Sequence, residues 1–217
     1  TIQKVKVLEI RHLTEAAYVL KLERQGFEFV PGQCVNIGIP GSAVNREYST
    51  YSGLSDEYLE FLIKKVIGGN VSNALSQLKP GDEVTLDGAY GLFTLEKPED
   101  QNRSYVFIGS GTGIAPFHSY ARSYPNLNYQ VIHGIHEVNE QYDKNDYGAG
   151  RYVSCVSTGV GGDFSGRVTA YLQSESWKAA PEAFFYLCGN SSMINDVYDI
   201  LRKFNVSGSH IYTEVFF

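Results

Sequence analysis

Apolar and polar residues follow two different rhythms along this chain, and the change falls near residue 96. Up to that point the apolar positions come in short β-branched or aromatic runs: "IQKVKVLEIRHL", "AYVLKLERQ", "QCVNIGIP", "NREYSTYSG", "YLEFLIKKV" and "DEVTLDG". Successive side chains of a strand point to opposite faces, so runs of this kind predict half-buried strands. Turn residues such as Pro31-Gly32 and Pro80-Gly81 separate them. Six short strands at this spacing predict a small antiparallel barrel. One stretch breaks the rhythm, "NVSNALSQLK", where Ala74, Leu75 and Leu78 stand at helical spacing.

The polar segment "EKPEDQNRS" reads as a linker or surface loop. Beyond it, "SYVFIGSG", "YQVIHGIH", "RYVSCVST" and "AFFYLCGN" are nearly unbroken apolar runs, the pattern of strands buried on both faces. "IAPFHSYARSY" and "MINDVYDILRKF" carry the helical period. Alternating strands and helices predict an α/β doubly wound parallel sheet, with ligands at the carboxyl ends of its strands. The expected architecture is therefore two-domain: an antiparallel six-stranded β-barrel over residues 1–98, then a doubly wound α/β domain over residues 99–217. No repeat or low-complexity tract interrupts it.

Composition narrows the field of partners. At a net charge of −6 the chain is a poor match for nucleic acid or an anionic membrane surface. No apolar run approaches the roughly 20 residues of a membrane span, and "TIQKVKVLEI" lacks the pattern of a signal peptide. Cys34, Cys155 and Cys188 lie far apart with no metal-ligand spacing, which excludes a zinc or iron–sulfur site and fits a reducing cytoplasm. Sixteen Tyr and twelve Phe fill a core, and equally suit a protein that holds a flat ring.

Candidate chemistry sits at two glycine-rich helix starts. In "GSGTGIAPF", Gly109, Gly111 and Gly113 let the backbone turn sharply and approach a ligand, and the helix that follows offers free N–H groups to an anion. Simple turn chemistry explains these glycines as well. The spacing matches neither a G-x-G-x-x-G fingerprint nor a Walker loop. In "IGGNVSNAL" a helix start carries Asn70 and Ser72, either of which would serve as an N-cap without a ligand. Backbone donors and a hydroxyl at such a start also make a pyrophosphate cradle, to which Arg46 of "NREYST" could add a bidentate contact. Two phosphate-ready helix starts, one in each half, imply two nucleotides. Two nucleotides joined through flat rings point to hydride transfer.

Taken together these residues resemble the ferredoxin–NADP reductase family of flavoproteins, over nearly the whole chain. "REYS" looks like that family's R-x-Y-[ST] motif, "GGNVS" like its G-x-x-S flavin motif, and "GTGIAPF" like its G-T-G-[IV]-[AS]-P motif. "CGN" resembles its nicotinamide-side C-G-x, and "TEVFF" its acidic–aromatic ending. Five motifs in the right order make the resemblance specific.

The resemblance implies that the barrel holds FAD and the second domain NADH or NADPH. Arg46, Ser72 and the amides of Gly69, Asn70, Val71 and Ser72 would meet the FAD pyrophosphate. Tyr48 would lie against the isoalloxazine and Ser49 near flavin N5, and Glu47, between Arg46 and Tyr48 on the same strand, would also contact FAD. Gly111, Thr112, Gly113, Ser157, Thr158, Arg167, Cys188 and Gly189 would contact the nicotinamide dinucleotide. Cys188 would approach nicotinamide C4, although a cysteine in an apolar run is commonly a small core residue. Glu214 is either a surface carboxylate or the family's C-terminal acid, which arranges the site or relays a proton. Phe216 stands where plant-type members stack a tyrosine on the flavin, but the chain runs one residue further, so Phe216 and Phe217 both remain candidates.

A 2′-phosphate favours arginines and hydroxyls. Ser157 and Thr158 supply hydroxyls and Arg167 matches a family arginine. The arginine expected beside Ser157 is missing, His136 stands where relatives often carry another, and Asp163 would repel phosphate. The choice between NADH and NADPH stays open. By the resemblance, electrons pass to a ferredoxin or flavodoxin. The alternatives are a reductase subunit of a larger complex or oxygenase system, and a flavin or quinone reductase.

Overall fold

The structure, a computed structural model, describes residues 2–216. It divides into two compact units. One comprises the chain up to Leu95 together with Ala115–Ser123; the other comprises Glu96–Ile114 and the chain from Tyr124 onward.

The first unit is built on β1 (Ile2–His12), β2 (Ala17–Glu23), β3 (Cys34–Gly38), β4 (Asn45–Ser49), β5 (Tyr58–Lys64) and β6 (Glu83–Tyr90). Each falls on one of the six segments that the apolar rhythm marks. They form one sheet in the order β4-β3-β6-β1-β2-β5, with antiparallel pairing throughout. A bridge between Thr50 and Phe61 brings the two edge strands together and closes the sheet into a barrel. β1 serves two neighbours: Ile2–Lys6 pairs with β6, and the residues from Val7 to His12 pair with β2 across an irregularity at Val7–Glu9. Such a bulge lets one long strand bend between two partners. Val30–Gln33 and Lys79–Asp82 close with backbone hydrogen bonds of 3.0 Å, and Pro–Gly at their centres is what a type II turn demands.

Tyr18, Leu20, Val35, Ile37, Phe61 and Leu86 are wholly buried inside the barrel. Helix α1 (Asn70–Ser76) caps this core with Val71 and Leu75. The Tyr18 hydroxyl donates to the Ser72 carbonyl at 2.6 Å and ties the helix down.

Helix α2 (Ala115–Ser123) belongs to the same unit and is fastened to the loop that follows β4. His118 stacks on Tyr51 with centroids 3.6 Å apart and donates from Nδ1 to the Tyr51 carbonyl at 2.6 Å. The Ser119 hydroxyl donates to the Ser52 carbonyl at 2.7 Å, and Leu54 N–H donates to the Ser123 hydroxyl at 3.0 Å. Arg122 grips both carboxylate oxygens of Asp56, at 2.9 and 2.7 Å.

The second unit contains β7 (Tyr105–Ser110), β8 (Tyr129–Ile135), β9 (Tyr152–Val156), β10 (Phe164–Ser165), β11 (Phe184–Gly189) and β12 (Ile211–Val215). Their order is β10-β9-β8-β7-β11-β12, and every pairing is parallel. Four of these strands lie in the expected apolar runs. The other two, β10 and β12, are the sheet edges, where one side of the ladder is open and a continuous apolar run is not required. Helices α3 (Val168–Leu172) and α4 (Ser191–Lys203) cover one face through Val168, Leu172, Ile194, Val197 and Leu201. From β7 the chain adds strands first on one side, then on the other. The strand order therefore reverses between β7 and β11, which is the topological switch point where open α/β sheets bind ligands.

Candidate functional site

At the switch point the carboxyl ends of β7 and β11 lie side by side, with Cys188 paired in register with Gly109. The chain leaves β7 through a 3-10 turn, Gly111–Ile114, and α2 starts at once. A side chain at Gly113 has no room: an ideal Cβ there would lie 2.5 Å from the Cys188 carbonyl oxygen and 2.8 Å from Gly189 Cα. Only a glycine lets the two backbones approach this closely. The Ser110 hydroxyl crosses the gap and accepts from Asn190 N–H at 3.1 Å and from Asn190 Nδ2 at 3.2 Å. Asn190 also caps α4, its Oδ1 accepting from Met193 N–H at 2.8 Å. Ser110 and Asn190 thus clamp the two strand ends together. Sequence reading missed both roles, although each residue lies within a quoted motif.

Cys188 lies inside β11 and is fully buried. Its register partner on the other side is Glu214 of β12, so the two side chains stand on one face, adjacent by a strand spacing of about 4.8 Å. This face is opposite the one on which Phe185 and Leu187 meet the helices. Glu214 is half-buried, which sets aside its reading as a plain surface carboxylate. The backbone N–H of Phe216 donates to the Gly189 carbonyl at 2.6 Å, so the ladder continues past β12 and brings the terminal segment to the same strand end. Phe217 lies outside the described residues.

Further along the sheet, Ser157 and Thr158 follow β9, and the Ser157 hydroxyl meets His136 Nδ1 at 3.0 Å. Gly166 N–H donates to the Val156 carbonyl at 2.9 Å, which brings exposed Arg167 to the same strand end as the N-cap residue of α3. Ser157, His136, Thr158 and Arg167 therefore gather at the carboxyl ends of β8 and β9. Asp163 is engaged elsewhere, its Oδ2 accepting from Ser154 N–H at 2.8 Å and from the Ser154 hydroxyl at 3.1 Å.

In the first unit, β4 presents Arg46 and Tyr48 on one face, opposite Ile37 and Val35 of β3, and Glu47 and Ser49 on the other. Arg46 is exposed, and its guanidinium makes one hydrogen bond among the described residues, Nη1 to the Asn45 carbonyl at 3.1 Å. A guanidinium has five N–H donors, so four stay available to an anion. Tyr48 is half-buried against the barrel core; burial pushes its phenol up to about 12 against the opposing pull of Arg46, so it stays neutral. Ser49 is buried, 3.7 Å from Cys34 Sγ across the strand pair.

Helix α1 settles the capping question raised by "GGNVS". Its N-cap residue is Gly69, with no side-chain cap, and Asn70 is the first helical residue. The Ser72 hydroxyl accepts instead from Val66 N–H at 3.1 Å and shapes the loop before the helix. Among the described residues the first-turn amides thus have no side-chain cap, and no acidic residue stands in that turn. Uncapped amides and a guanidinium with spare donors form the donor set that a pyrophosphate requires.

A barrel followed by a parallel α/β unit, each with a glycine turn leading into a helix, is a two-domain architecture of the dinucleotide-binding kind. Residues 5–95 match the family of oxidoreductase FAD-binding domains. Over 228 residues the chain is 32% identical to the electron transfer component of toluate 1,2-dioxygenase from Pseudomonas putida, covering 97% of this chain and 66% of that protein. It is 28% identical over 214 residues to flavodoxin/ferredoxin–NADP reductase of Escherichia coli, covering 88% and 86%. Its fold matches a ferredoxin NADP+ reductase from Neisseria gonorrhoeae, with FAD and NADP bound there, at a TM-score of 0.86 and 22% identity over 100% of this chain and 99% of that one. The chain belongs to the ferredoxin–NADP reductase family. It spans a third to two thirds of the length of the oxygenase-system relatives that it matches.

Proposed function

We propose that the chain is an FAD-dependent oxidoreductase that takes hydride from NADH or NADPH and passes electrons to a ferredoxin or flavodoxin. The observation that carries this reading is the cross-strand pairing of Cys188 with Glu214 beside the glycine turn at the switch point. A close-packed glycine backbone is joined there by a thiol about 75 residues and a half-buried carboxylate about 100 residues further along the chain. A folding role alone asks for none of these polar groups at that strand end.

Bound FAD would supply the ring that accepts hydride and releases electrons singly or as a pair. The protein's part is to hold and orient. Arg46 and the amides of Gly69, Asn70, Val71 and Ser72 bind the pyrophosphate, Tyr48 offers a flat neutral face to the ring, and Ser49 offers a hydroxyl. Glu47, between them on β4, completes the strand. Gly111, Thr112, Gly113 and Gly189 line the dinucleotide's phosphates and nicotinamide, while Ser157, Thr158 and Arg167 meet its adenosine end. Cys188 would pack beside the nicotinamide, and Glu214 would arrange the site or relay a proton. Phe216 covers the ring side; Phe217 shares that assignment as an alternative.

Ser157 with Arg167 favours a 2′-phosphate, whereas the missing second arginine favours NADH. Anaerobic titration of the purified yellow protein with each dinucleotide, following loss of the flavin band, tests the reading and decides the cosubstrate. No bleaching by either would refute it. In the same assay Arg46→Ala is expected to lose FAD on dialysis. A charge-assisted hydrogen bond contributes about 1.5–3 kcal/mol, so affinity should fall by about tenfold or more.

A second reading follows from the relatives at 32% identity, which are named as electron transfer and reductase components of oxygenases. In it the physiological acceptor is a redox centre of an oxygenase system. Ferricyanide reduction separates the isolated reductase from a subunit that turns over only within its complex: the former supports steady dinucleotide oxidation, the latter almost none.

A further inference from the structure

β8 carries a histidine where its neighbours in the sheet carry small residues. His133 stands in register with Gly109 on one side and Ser154 on the other, and it is completely buried. Its Nε2 lies 2.8 Å from the Gly111 carbonyl oxygen and its Nδ1 2.6 Å from the Tyr152 hydroxyl. A carbonyl oxygen only accepts, so Nε2 carries the hydrogen. Nδ1 is then an acceptor, and the Tyr152 O–H donates to it. Both ring nitrogens are thereby satisfied in a single tautomer, and burial keeps the ring neutral. Tyr152 is held in turn by stacking on Tyr147, with centroids 5.5 Å apart at 18°.

Gly111 opens the glycine turn with φ +54. In a trans peptide the C=O of one residue and the N–H of the next point in opposite directions. Drawing the Gly111 carbonyl toward His133 therefore turns the Thr112 N–H away from the sheet, to the side where an anion would lie. We infer that His133 and Tyr152 are positioning residues for the dinucleotide turn: the chain Tyr152–His133–Gly111 sets the peptide plane that aims the Thr112 donor. The inference rests on the proposed role of that turn and adds two residues that no motif of the family resemblance includes.

Tyr152→Phe keeps the ring and its stacking but removes the O–H that enforces the tautomer. It is expected to raise KM for the reducing dinucleotide about five- to tenfold, the loss expected of one buried hydrogen bond, with kcat within about twofold and FAD retention unchanged. Amide hydrogen exchange at Thr112 should be faster than in the wild type by a similar factor. His133→Leu should show a larger KM effect, and His133→Gln, which keeps a donor at the end of the side chain, should recover part of it. Nitrogen-15 spectra should show His133 as the neutral Nε2–H tautomer in the wild type at pH 7. Wild-type KM and wild-type Thr112 exchange in Tyr152→Phe would overturn the inference. If wild-type flavin is not reduced by NADH or NADPH, the reading of the turn as a dinucleotide site falls. In that case the exchange measurement alone still decides whether Tyr152 and His133 set the turn.

Discussion

Thr50 follows β4 and closes the barrel by its bridge to Phe61. Its hydroxyl is buried, and among the described residues it has no hydrogen-bond partner. A buried hydroxyl left unpaired costs about 1–3 kcal/mol, whereas a methyl group in the same place costs nothing in hydrogen bonding. Thr50→Val is therefore expected to stabilise the flavin-free protein by about 1 kcal/mol, measured by urea unfolding. A fall in stability would mean that the hydroxyl is paired after all. That Arg46, Tyr48 and Ser49 share one strand was legible in the sequence, because alternation and residue type alone carry it. The solitary state of the Thr50 hydroxyl was not, since it depends on every group packed around it.

Each glycine turn works as an element, and the two helix starts solve different problems. At α1 the geometry leaves amides uncapped; at the Gly111–Ile114 turn it lets two backbones touch. Gly113→Ala would press a methyl group onto the Cys188 carbonyl and Gly189 Cα, both backbone atoms that cannot move aside cheaply. The expected cost is about 1–3 kcal/mol, the range for overpacking a dense site, and it should lower the thermal midpoint. An unchanged midpoint would show that the strand ends can separate freely. Helix α2 was predicted from its period, yet its ties to Tyr51, Ser52, Leu54 and Asp56 were invisible, because they join segments more than sixty residues apart.

Across the whole molecule, acid acts on the two units through different groups. His133 belongs to the second unit, and burial lowers its pKa from 6.5 to about 4. The unfolded chain therefore binds a proton in that window and the folded chain does not. Stability is complete above about pH 6.5, declines as the pH falls toward about 4, and then levels off, a loss of about 3 kcal/mol at most. In the first unit burial opposes ionisation of Asp56, but hydrogen bonds from Arg122 and from Gly53 N–H hold its carboxyl below the usual range. That contribution persists above the ordinary carboxylate pKa and is lost only in stronger acid. Burial raises Glu60, which makes the barrel gain rather than lose stability as the pH falls through its folded pKa. The parallel-sheet unit is thus expected to unfold first on acidification. Trp177, the one tryptophan, lies in that unit's core. Its emission should shift before amide protection is lost in β1 and β6, and simultaneous loss would sink the prediction.

By itself the sequence determined the six strands of the first half, four strands of the second and helices α1, α2 and α4, though not the short α3, together with their order in two halves and where the glycine and hydroxyl motifs fall. These follow from local matters: the two-residue and 3.6-residue periods, turn chemistry and residue type. The edge strands β10 and β12 escaped it because an edge needs no unbroken apolar run. Only the tertiary structure decided that Cys188 stands beside Glu214, that α2 belongs with the barrel, and that His133 holds Gly111. The physical reason is register and close approach: strand pairing chooses which distant residues become neighbours, and a shift of one residue would turn each of these side chains to the opposite face.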